Sequence, residues 1–122
     1  MNSTSIIDNL FKLFSIILVL AALHHLYEYF NPELRPNYPA SRHIFFFVIN
    51  LVLSIFVLVR NKYFLAVLTL VVAQQLYGHG GNLIIDLIES RKTLYTDWSV
   101  VILSPIMLMI YYYDIYLKNK DS

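Results

Sequence analysis

Four long apolar segments divide the chain, and its polar residues gather near the ends of these segments. They cover residues 10–30, 44–59, 63–77 and 98–117. A helix that crosses a bilayer needs about 20 mostly apolar residues. Helices of a soluble bundle carry a polar face, and these segments have almost none. We therefore predict an all-α, polytopic membrane protein. It would be one domain of four transmembrane helices in an up-down bundle, near residues 10–30, 42–60, 62–79 and 97–117.

The third segment ends in a glycine-rich stretch that admits two interpretations. Three of four positions from 78 to 81 are glycine, which usually interrupts a helix. The polar residues around them nevertheless follow helical spacings of four, three, four and three: Gln75, His79, Asn82, Asp86 and Glu89. This stripe predicts a helix that continues to residue 89. The alternative is a break at the glycines, followed by a short amphipathic helix over 83–88 in the membrane interface.

An internal similarity at a shift of 50 residues suggests a repeated hairpin. Lys12 falls on Lys62, and Leu26-Tyr27 falls on Leu76-Tyr77. If the similarity is a true repeat, the first and second helices form one hairpin, and the third and fourth form another. Parallel repeats of this kind are related by an axis along the membrane normal.

Composition supports a membrane location and narrows the chemistry. Of 122 residues, 58% are hydrophobic, and the mean hydropathy is +0.60. Cysteine is absent from the sequence, which excludes disulfides and cysteine-ligated metals. A net charge of +1 gives no basic field for a nucleic-acid partner. Basic residues favour the side of the two termini by a single charge, so we expect an inner-membrane protein with cytoplasmic termini.

An up-down bundle would bring all four histidines to one leaflet. The candidate functional residues lie at that leaflet. His25 and Glu28 lie inside the first apolar segment, where ionisable residues are functional candidates. Adjacent His24 and His25 point about 100° apart on a helix, so we favour His25. Histidines and a carboxylate from different helices form a ligand set for a first-row metal ion, and we predict this set as His25, Glu28, His43 and His79.

His25 and Glu28 are also candidate catalytic residues, because a histidine–glutamate pair can act as general acid and base on a lipophilic substrate. Three neighbouring polar residues are predicted to support a bound cofactor or ligand: Arg42, Asn50 and Gln75. Interpretations that give these residues no functional role also stay open. Arg42 can extend towards headgroups, and buried amides commonly join helices by hydrogen bonds.

The run His25-Leu26-Tyr27-Glu28 resembles a family of small bacterial membrane proteins named for a His-x-x-Glu-Glu (HXXEE) motif. Tyr29 stands where the second glutamate of that motif belongs. The likeness extends loosely to the helix count and to His79. This resemblance implies a membrane protein with a suspected enzymatic activity that has not been assigned.

Two classes of function follow from these residues. The first is binding of a metal ion or a small lipophilic ligand in a polar pocket at one leaflet, with or without catalysis. The alternative is a non-enzymatic accessory or structural membrane subunit, whose pocket is a hydrogen-bonded network. Expected partners are the lipid bilayer and a lipophilic small molecule, and an oligomer or a partner subunit stays open. A channel is disfavoured because the polar residues stop half-way across the membrane.

Overall fold

The computed structural model describes residues 3–34 and 38–120, and these residues form helices without any strand. The α-helices are α1 (Ser3–Phe30), α2 (Ala40–Val59), α3 (Phe64–Gln75), α4 (Gly81–Ile88) and α5 (Tyr95–Lys120). A short 3₁₀ turn (Pro32–Leu34) follows α1, and a π-helical turn (Leu76–Gly80) joins α3 to α4. The predicted all-α class is therefore confirmed.

Three of the described helices, α1, α2 and α5, are long and apolar enough to cross a membrane. They expose large hydrophobic side chains, such as Leu20 on α1, Ile55 on α2 and Met109 on α5. Exposed apolar surface of this extent is typical of a surface that contacts lipid. The third predicted span is divided into α3, the π turn and α4, each of which is shorter than these three helices.

The backbone stays helical through the glycines, as the polar stripe predicted. Gly80 has φ −65° and ψ −40°, and Gly81 has φ −59° and ψ −45°. The alternative with a non-helical break is wrong. The observed segment is not one continuous α-helix, because it passes through a π turn at Leu76–Gly80. Helical structure ends at Ile88, one residue before the predicted limit.

The chain forms two compact units, Met1–Asn61 and Lys62–Ser122. The first is an antiparallel hairpin of α1 and α2, shown by three contacts spaced along both helices: Glu28 with His43, Ser15 with Ser54, and Asp8 with Arg60. The last contact lies in the part of α1 that precedes the predicted start near residue 10. The Asp8 carboxylate accepts a hydrogen bond from the Arg60 guanidinium, and this fixes the first turns of α1 against the end of α2.

The second unit pairs the helical segment 64–88 with α5. Phe64 is fully buried, and its ring packs edge-on against Tyr111 with 4.6 Å between ring centroids. Nearer the other end of the segment, His79 contacts Asp97. Phe64, at the start of the segment, thus contacts Tyr111 late in α5, whereas His79, later in the segment, contacts Asp97 early in α5. The segment and α5 therefore run antiparallel.

Candidate metal centre

Glu28 lies in the last turn of α1 and is the most buried acidic group of the first hairpin. Its side chain is only 6% exposed. A helix places residues three and four positions apart on the same face, so His24 and His25 both share a face with Glu28. The carboxylate is turned towards α2, where it meets His43 in the first turn of that helix.

Two imidazole nitrogens approach the same carboxylate oxygen. Glu28 Oε2 lies 3.3 Å from His25 Nδ1 and 3.2 Å from His43 Nδ1. One potential ligand atom from each of the three residues lies within 4.8 Å of the other two. We call His25, Glu28 and His43 the triad. It brings together two of the three predicted histidine ligands with the predicted carboxylate, and all three residues lie in the first hairpin.

The two nitrogen–oxygen separations are close to those between ligands of a tetrahedral metal ion. Nitrogen and oxygen ligands lie 2.0–2.2 Å from zinc, so two of them at a tetrahedral angle are about 3.3–3.6 Å apart. Direct N–H···O hydrogen bonds centre on about 2.9–3.0 Å. The nitrogen–oxygen distances in the triad, 3.3 Å and 3.2 Å, therefore lie nearer to a tetrahedral edge than to a typical hydrogen bond.

His24 also lies near Glu28, as expected for two residues four positions apart on a helix. His24 Nε2 lies 3.4 Å from Oε1, the carboxylate oxygen that the other two histidines do not use. Its side chain is 46% exposed. Of the two adjacent histidines, His25 is part of the triad and His24 is not; His24 contacts the carboxylate from its exposed side. His24 thus orients the carboxylate from the rim.

Aromatic packing holds the imidazole of His25 in place. The ring stacks on Phe46 with 5.3 Å between centroids and an angle of 26° between planes. The centroids of the His25 and His43 rings are 6.0 Å apart. Because Phe46 lies on the same helix as His43 and three residues after it, α2 positions one imidazole directly and the other through a ring contact.

The predicted supporting residues make other contacts. The Arg42 guanidinium lies over the Tyr38 ring, with its carbon 4.1 Å from the centroid. Asn50 is buried, and its Nδ2 donates to the Phe46 carbonyl within α2. Gln75 lies in the second hairpin, where its Nε2 donates to Gln74 Oε1. The described contacts of Arg42 and Asn50 therefore provide no direct ligand to the triad.

His79 lies in the second hairpin, on the π turn, and its contact there is Asp97. His79 Nδ1 and Asp97 Oδ1 are 2.5 Å apart, and Asp97 is only 1% exposed. Asp97 was not among the predicted site residues. The two residues are 18 positions apart on different helices, so no local spacing connects them. The only available clue was an acidic residue at the start of an otherwise apolar segment.

We compared the chain with protein-family models, curated proteins and solved structures, and none of the three comparisons returned a match.

Proposed function

We propose that the first hairpin binds one divalent first-row transition metal ion through His25, Glu28 and His43. The observation that carries this proposal is the triad itself, in which three potential ligand atoms lie within 4.8 Å of one another. Two histidines and one glutamate are a known ligand set of catalytic zinc sites. The carboxylate and His43 are both nearly fully buried.

The chemistry of the buried groups favours a cation at this place. Nδ1 of His43 is buried and makes no hydrogen bond to the described residues, although Glu28 Oε2 lies 3.2 Å away. A buried carboxylate is expensive to desolvate unless a positive charge compensates it. A metal ion supplies that charge and takes neutral histidine as a ligand. One ion thereby satisfies both groups.

Three protein ligands leave one tetrahedral position for water or for a ligand. An ion in such a site acts as a Lewis acid, or lowers the pKa of its bound water. The residues of the chain hold the ion, and His24 orients the carboxylate through Oε1. A substrate entering from the bilayer would be small and lipophilic. On the run His25-Leu26-Tyr27-Glu28, we also propose kinship with the His-x-x-Glu-Glu membrane proteins.

Metal content tests this function directly. The full chain should be purified in detergent with a tag that contains no histidine, dialysed against metal-free buffer, and analysed by mass spectrometry of its metals. We expect close to one equivalent of a first-row ion per chain. A metal-free preparation that also fails to take up Zn²⁺ or Co²⁺ would contradict the proposal.

A protein that neither contains nor takes up metal would favour the non-enzymatic alternative. One observation supports that alternative. Glu28 contacts three histidines at 3.2–3.4 Å, and such a network can hold α1 against α2 by itself. In this case the hairpin would serve as a structural element of an accessory subunit.

We further propose that the helical segment 64–88 is a fourth membrane span. Its three parts contain 12, 5 and 8 residues. At about 1.5 Å per residue they extend roughly 37 Å, which exceeds the roughly 30 Å of a hydrocarbon core. Four spans place both termini on one side, and the distribution of basic residues favours the cytoplasm. The protein would then be a multi-pass protein of the inner membrane.

Reporter fusions distinguish four spans from three. With four spans, fusions after Asn61 and Ser122 report the same side, and a fusion after Lys92 reports the opposite side. If segment 64–88 instead lies along the membrane surface, Lys92 and Asn61 agree and Ser122 differs. A fusion after Leu34 provides the control, because both topologies place it across the membrane from Asn61.

A further inference from the structure

His79 and Asp97 form a second pair of functional groups, separate in sequence from the triad and contained in the second hairpin. The Asp97 carboxylate is almost completely buried, and its Oδ1 lies 2.5 Å from His79 Nδ1. The His79 side chain is 25% exposed, so part of its ring remains accessible.

The carboxylate determines which imidazole nitrogen carries the proton. With Asp97 ionised, its carboxylate only accepts hydrogen bonds, and Nδ1 of His79 is then the donor. In a neutral ring the proton on Nδ1 leaves the lone pair on Nε2. This is the arrangement by which a buried aspartate orients a catalytic histidine.

The backbone around His79 departs from a regular α-helix. His79 lies on the π turn, and such turns within α-helices occur frequently at functional sites. Each glycine in a helix lowers stability by about 1 kcal/mol relative to alanine. None of the three glycines has a positive φ. A Cβ would have no neighbour closer than 3.8 Å at Gly78 or 3.9 Å at Gly80, and none within 4 Å at Gly81. Neither the backbone conformation nor steric crowding by these neighbours therefore requires glycine at the three positions.

We propose that Nε2 of His79, in a ring oriented by Asp97, accepts a hydrogen bond from the hydroxyl group of an amphiphilic molecule. Exposed Leu76 lies on the same turn and offers apolar contact to the remainder of the amphiphilic molecule. Asp97 is a positioning residue, since its oxygen contacts the imidazole.

Nitrogen NMR of the unmodified protein tests the assigned tautomer without any substitution. In ¹⁵N-histidine-labelled protein at mildly alkaline pH, His79 should show a protonated Nδ1 and an unprotonated Nε2. A His79→Gln variant identifies the resonances by their disappearance. A ring that carries its proton on Nε2 would overturn the proposal, because no lone pair would then face the ligand.

Chemical modification tests the reactivity of Nε2. Diethyl pyrocarbonate acylates unprotonated imidazole, and mass spectrometry of peptides measures the rate at each histidine. In Asp97→Asn the amide can donate to Nδ1 and move the proton to Nε2, so we expect modification of His79 to slow by at least about tenfold. His24, which is half exposed on α1, is the internal reference and should react at an unchanged rate. Equal His79 rates in both proteins would overturn the role of Asp97.

Protection by a simple alcohol tests the hydroxyl ligand. Added 1-octanol should slow modification of His79 but not of His24, whereas octane at the same concentration should slow neither. If octanol and octane give the same His79 rate, the hydroxyl group does not bind at Nε2 and the proposal fails. Circular dichroism of every variant checks that the helices are retained.

Discussion

Replacing Glu28 by glutamine is expected to weaken metal binding by at least about 100-fold. Loss of a residue that merely supports a ligand typically lowers metal affinity by 10–100-fold, and loss of a direct ligand should do no less. Glutamine keeps the size of the side chain but removes the negative charge. Because Glu28 Oε2 is the atom shared by His25 and His43, the substitution also removes the centre of the triad.

The measurement is a Co²⁺ titration of the metal-free protein, followed by visible absorption that reports tetrahedral coordination. His24→Gln is the matched comparison, because His24 contacts the other carboxylate oxygen and is half exposed. It should weaken binding by only about tenfold. His43→Gln should resemble Glu28→Gln. If Glu28→Gln binds Co²⁺ as tightly as the unmodified protein, the triad is not a metal site. If His24→Gln has the larger effect, the ion is held instead on the exposed side of Glu28, between Oε1 and His24.

Replacing Phe64 by alanine is expected to destabilise the second hairpin by about 3 kcal/mol, the lower end of the range for a buried phenylalanine. Phe64 is fully buried at the start of α3 and packs edge-on against Tyr111 of α5. The substitution removes the ring and leaves a cavity between the two helices. Packing contacts of this kind, rather than removal of apolar surface from water, hold helices together within a bilayer.

Reversible unfolding in mixed micelles, followed by circular dichroism, measures this effect. Phe45→Ala provides a control of identical chemistry, because the Phe45 side chain on α2 is 60% exposed. Its change in the free energy of unfolding should stay below about 0.5 kcal/mol. Equal destabilisation by the two substitutions would mean that the Phe64–Tyr111 contact does not hold the hairpin together.

The pattern of apolar positions was sufficient to predict the helical class and most helix limits. The end of α1 at Phe30 agrees with its apolar segment, because loss of hydrophobicity and Pro32 both stop the helix there. The start of α1 could not be predicted in this way. Residues 3–9 are mostly polar yet helical; Ile7 among them is buried, and Asp8 gains its contact from Arg60, which is 52 residues away in sequence.

The sequence by itself determined which of the candidate residues share a helix face. Spacings of three and four placed His24 and His25 against Glu28, and the polar stripe predicted helical backbone through the glycines, since both depend only on helix geometry. Only the tertiary structure decided which residues meet across helices. It selected His43 as the partner of Glu28 and brought Asp97 to His79. The physical reason is that the pairing of two helices depends on how their side chains interdigitate. A shift of one turn, about 5.4 Å, would replace each of these partners.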